Sequence, residues 1–136
     1  MAEYTGQHEA PGYDPQQSSA PMHDISSLIP DYYERSHEYR LTHEPTEHTA
    51  MEHIDLSRNR PKRQVRVFRA IPADVPIKRG KGINTGDWVT PVRAYAVEHG
   101  RSHLSNQFKI VSKTVPAKHL YTEGNSWEEW GYDPSR

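Results

Sequence analysis

The chain has no cysteine, no long apolar run and little apolar material of any kind. Without a thiol there is no disulfide, no thiolate metal site and no cysteine nucleophile, which fits a reducing compartment. No apolar run approaches 18 residues and no basic-then-apolar leader opens the sequence, so neither a transmembrane helix nor a signal peptide is expected. Only 33% of the residues are apolar, the mean hydropathy is −0.98, and 11 prolines and 8 glycines interrupt the pattern. At 136 residues there is room for one domain, but a chain this polar cannot bury all of itself. Part of it is expected to be arm or linker.

The net charge of −1 hides a segregation. Residues 1–57 carry 11 Asp and Glu against 2 Lys and Arg, whereas residues 58–136 carry 7 against 15. A basic C-terminal half suits an anionic ligand, either nucleic acid or the pyrophosphate of a dinucleotide; its plainer use is to neutralise the acidic half. Six of the nine histidines, His8, His23, His37, His43, His48 and His53, lie in that acidic half. None forms an H-E-x-x-H pattern, so they read as scattered solvent histidines and no metal site is expected.

Residues 1–24 lack periodicity and read as a flexible tail. In Ile25–Leu41, Leu28, Ile29, Tyr32, Tyr33 and Tyr39 can line a core surface, and Pro30 predicts a bend with a short turn after it. Pro45 suits a first helical turn, and Ala50, Met51 and Ile54 make one stripe of a helix of roughly three turns. Together these features set an acidic arm over residues 1–41 and a folded domain over 42–136. Arg58–Gln64 is a basic loop without the interleaved aromatics that stack on bases.

Gln64–Ala70 alternates as a strand, with Val65, Val67 and Arg69 on one face and Arg66, Phe68 and Ala70 on the other. KRGKG (Lys78–Gly82) is a mobile basic loop without the ending or spacing of a phosphate-binding loop. A short strand through Trp88 ends at Thr90, which with Pro91 reads as a helix start. Val92, Tyr95, Ala96 and His99 then share a stripe, and Gly100 reads as the stop. Phe108–Val115 is a strand closed by Pro116, followed by the acidic turn NSWEEWGYDP. The order predicts an α+β domain with a small, mainly antiparallel sheet and short helices, preceded by an extended polar arm.

Taken as an ordered series, VRVFRAIP, INTGDWVTPVRAYAVEHG, FKIVSKTVPAKHLY and SWEEWGYDP resemble small phage and bacterial domains related to ADP-ribosyltransferases. The resemblance covers about residues 51–134 and not the first forty. The arginine–serine–glutamate class of that family has an arginine ending its first core strand, a Ser/Thr-x-Ser motif ending a second and a glutamate on a late loop. Arg69 in VFRA matches the first and Thr90 in WVTPV opens the second, although Val92 stands where the second hydroxyl falls. Glu129 in SWEEWGY matches the third, with Glu128 as its substitute.

The resemblance implies NAD as co-substrate and a macromolecular acceptor of ADP-ribose, either protein or nucleic acid. It implies that Glu129 stabilises a ribosyl cation, that Arg69 holds the pyrophosphate or a ribose, and that Thr90 orients the ribose or the glutamate. Trp88, Tyr95 and Trp130 would help to bind the cofactor. It leaves open an alternative without catalysis, a virion-associated structural protein docking on phage subunits or on itself through residues 1–41. A membrane partner is not expected; the site of action would be the host cytoplasm or the virion. The same residues have structural readings. Arg69 can pair with Asp87 or Glu98, Thr90 can cap a helix, Ser126 and Glu129 can form a capping box, and the tryptophans can be core.

Overall fold

The computed structural model describes residue 10, residues 19–77, residues 82–124 and residues 126–136. Most of the expected tail and most of the KRGKG loop lie outside the described residues, as does Asn125. Among the described residues, three α-helices and two small antiparallel sheets make the architecture α+β, as the sequence pattern predicts.

The longest strands form a two-stranded ribbon. β2 (Gln64–Pro72) runs against β4 (Phe108–Pro116) in a continuous register from Gln64 opposite Pro116 to Pro72 opposite Phe108. The second sheet has four short strands: β1 (Ala20–Pro21), β5 (Leu120–Thr122), β6 (Trp130–Tyr132) and β3 (Trp88–Val89), in that spatial order. A single antiparallel bridge joins the two sheets. The Phe68 amide donates to the Thr90 carbonyl at 2.8 Å, and the Thr90 amide returns the bond at 3.0 Å. β3 is therefore held by β6 on one side and by β2 on the other.

α1 (Tyr32–Arg40) begins just after Pro30, so the proline ends the bent segment and is followed by a helix rather than a short turn. α2 (Pro45–Ser57) starts where the sequence marks it. The Glu44 side chain accepts from the Glu47 amide, the Glu47 carboxylate accepts from the Glu44 amide, and Pro45 occupies a position that needs no N–H donor. Ala50, Met51 and Ile54 are its buried face.

The expected arm over residues 1–41 differs from the structure in its second half. Ala20, Met22, Ile25 and Tyr32 are fully buried in one cluster with Met51, Ile54, Val65, Val67, Val115, Leu120 and Trp130. Burying side chains of that size stabilises by about 1.5–3 kcal/mol each, which explains how a polar segment is held to the domain. The Met22 amide also donates to the Leu120 carbonyl at 2.8 Å, extending the β1–β5 pairing.

Gly100 is a correction as well. Instead of stopping the helix it lies inside α3 (Arg93–His103), buried, and a Cβ there would fall 2.4–2.7 Å from three ring atoms of Phe108. The residue is small because the helix rests on that ring.

Candidate functional site

The strand register sets the backbone of Thr90 between β2, which carries Arg69, and the segment before β6, which carries Glu129; because Thr90 bridges Phe68, the Arg69 side chain projects to the opposite face of β2. Phe68 lies opposite Thr90, and Trp130 lies opposite Val89. One step further along the Val89–Trp130 register are Thr90 and Glu129, so Thr90 sits between the strand that carries Arg69 and the segment that carries Glu129. Electrostatics place α3 in the same neighbourhood. His99 feels both the Glu129 carboxylate, which favours its protonation, and the Arg69 guanidinium, which opposes it. Burial is the largest influence and pushes His99 below the ordinary histidine range, followed by the like charge of His103, on which its ring stacks at 4.3 Å.

Arg69 lies on the Val65–Val67 face as the alternation requires, with its side chain only 10% exposed. Of its two expected partners, it has Asp87, whose carboxylate is 3.5 Å away and fully buried. The same Asp87 oxygen accepts the Asn84 amide at 2.7 Å, which ties the turn before β3 to the charge pair. The Arg69 guanidinium also donates to the Gly82 carbonyl at 3.3 Å. Gly82 reaches that position with φ +107°, which L side chains rarely adopt.

Thr90 is buried and its hydroxyl accepts the Val92 amide at 3.1 Å. It does not cap α3, whose N-cap is Val92, but turns the chain into it. Val92, at the position of the expected second hydroxyl, is itself buried.

Glu129 is half-buried and accepts a short hydrogen bond from the Tyr95 hydroxyl. Burial, the largest cause, and then the Glu129 carboxylate push the Tyr95 phenol well above its ordinary range, so it remains a donor. The expected capping box is absent. Residues 126–129 are not helical, and Ser126 Oγ accepts the Glu128 amide at 3.3 Å rather than facing Glu129. Glu128 turns the other way: it is buried and accepts from Thr46 of α2 at 3.1 Å. Burial raises its carboxyl above the usual range despite that bond.

The tryptophans divide. Trp88 is half-buried on β3, opposite Gly131. Trp130 is fully buried and donates its indole N–H to the Trp127 carbonyl at 2.8 Å, so it is a core residue rather than a cofactor wall. Trp127 packs on Tyr32 with ring centroids 5.2 Å apart and touches Tyr39 and His43. The late loop therefore stands on α1 and on the turn before α2. That dependence on residues 32–46 lay outside the sequence motifs, and Thr46 carries no signal that would have found it.

No family model matches the chain, and neither the curated proteins nor the solved structures give a match. Among the described residues no helix is long and apolar enough to cross a membrane, and no group of three or more His, Asp or Glu could hold a metal ion.

Proposed function

We propose that this chain is an NAD-binding domain of the ADP-ribosyltransferase type that transfers ADP-ribose to a macromolecular acceptor. What supports the reading is the strand order: the β3 segment, which ends at Thr90, pairs with β2, the strand of Arg69, and with β6, which directly follows Glu129.

In the transfer, the bond from the anomeric carbon of NAD to nicotinamide breaks and nicotinamide leaves with the electron pair. An acceptor nucleophile then bonds to that carbon and loses its proton. Glu129 supplies a fixed negative charge beside the developing ribosyl cation, where a preorganised carboxylate acts most strongly. Arg69 supplies the planar fork of the motif, which would have to give up its contacts with Asp87 and the Gly82 carbonyl to reach a phosphate or ribose oxygen. Thr90 acts through the backbone by setting the start of α3, and Trp88, half-buried on the same strand, offers a stacking face.

Specific observations favour a second reading, in which the domain keeps the fold and binds a partner without catalysis. The Arg69 guanidinium is largely buried against Asp87, and Val92 supplies no hydroxyl. Docking would then be the task of the acidic residues ahead of β1, on themselves or on phage structural subunits.

Release of nicotinamide from NAD by the wild type, lost in Glu129→Gln, supports the transferase. No binding at millimolar NAD, with assembly that depends on residues 1–19, supports the scaffold.

A further inference from the structure

The two neighbouring glutamates of the late loop are drawn to opposite sides. Glu128 goes into the core against Thr46 of α2, and Glu129 goes out to Tyr95 of α3. Glu129 has no regular element of its own, because residues 126–129 belong to neither a helix nor a strand. Its side chain is oriented by whatever meets its carboxylate, and that group is a phenol.

We propose that Tyr95 is the positioning residue of Glu129, supplying from the first turn of α3 the hydroxyl that Val92 does not provide. This rests on the transferase reading of the site. Three features suit Tyr95 to the task. It is the third residue of α3, whose entry is fixed by the Thr90 hydroxyl on the Val92 amide. Its ring is half-buried and turns about only two side-chain torsions, so little freedom is lost in holding the contact. A neutral phenol also orients a carboxylate without cancelling its charge, whereas lysine or arginine would neutralise the group that must face a cation. Glu129 meets the phenol directly and Glu128 acts on it only through space; both carboxylates disfavour its ionisation, whereas Ser126 favours it.

Tyr95→Phe removes the hydroxyl and keeps the ring. It is expected to lower kcat for nicotinamide release on the order of 10- to 100-fold, with KM for NAD within about twofold of wild type. A loss through KM alone, or an unchanged kcat, overturns the positioning role. The contact is read separately, without NAD and at neutral pH, from the NMR shift of the tyrosine ring carbon that bears the hydroxyl. Glu129→Ala is expected to move the Tyr95 resonance while the other tyrosines stay in place, and a Tyr95 resonance identical in the two proteins overturns the contact itself. A wild type that neither binds nor cleaves NAD overturns the transferase reading and with it the proposed role, whichever way the Tyr95 resonance behaves.

Discussion

Replacing Gly100 by alanine sets two effects of opposite sign against each other. In an exposed helix the change would stabilise by about 1 kcal/mol, because glycine is the poorer helix former. Here the added methyl would lie 2.4, 2.5 and 2.7 Å from Cδ2, Cγ and Cε2 of Phe108. Cγ is joined directly to Cβ, so turning the ring about its own axis does not clear it. Either the side chain changes rotamer or the start of β4 moves away from α3. Overpacking of that kind costs about 1–3 kcal/mol. The net expectation is a loss of up to about 2 kcal/mol, seen in thermal unfolding as a Tm lowered by up to roughly 8 °C. Phe108→Ala should remove the obstacle, and in that background Gly100→Ala should become neutral or stabilising. A double-mutant cycle with both substitutions therefore expects a coupling of about 2 kcal/mol. A Gly100→Ala protein that melts higher than wild type would refute the packing explanation.

The buried charge pair offers a second test. Asp87→Ala leaves Arg69 without its carboxylate and should destabilise by about 3–5 kcal/mol in urea titrations, and the double substitution with Arg69→Ala should cost less than the two single effects added. Additive losses would show that the pair at 3.5 Å is not coupled. Glu128 makes a prediction about pH. Its carboxyl is raised in the folded state by burial, so the folded protein binds the proton more tightly than the unfolded chain does. Stability is then lost as pH rises from the ordinary glutamate value of 4.5 through the raised value. Glu128→Gln should remove that loss and be the more stable protein at pH 7, with Thr46 still able to donate to the amide oxygen. A wild type and variant whose stabilities run parallel from pH 4 to 7 would contradict it.

Much of the frame was legible in the sequence because it rests on short-range patterns. The alternation of Val65 and Val67 with Arg66 gave β2, Pro45 gave the start of α2, and Pro116 marked the end of β4. What escaped depends on distant partners. Ala20, Met22 and Ile25 are too few and too widely spaced to signal a core segment, and β1 is only two residues long. Gly100 looks the same in sequence whether it ends a helix or makes room for a ring. Ser126 and Glu129 have capping-box spacing, but Trp127 and Trp130 are drawn into the core, and the loop they anchor is not a helix. Arg69, Thr90 and Glu129 were chosen for the proposed site by residue type and order. The Asp87 partner was one of two alternatives, and the Tyr95 bond to Glu129 required the structure.

The central claim is that a dinucleotide binds where β2, β3 and α3 meet the late loop. The most direct measurement is a titration of the full-length, isotope-labelled protein with NAD, followed by NMR. The expected result is a saturable set of shifts that centres on Arg69, Trp88, Tyr95, His99 and Glu129, weakened by Arg69→Ala. Resonances that stay still at millimolar NAD, or shifts confined to the basic loop Arg58–Gln64, would contradict it.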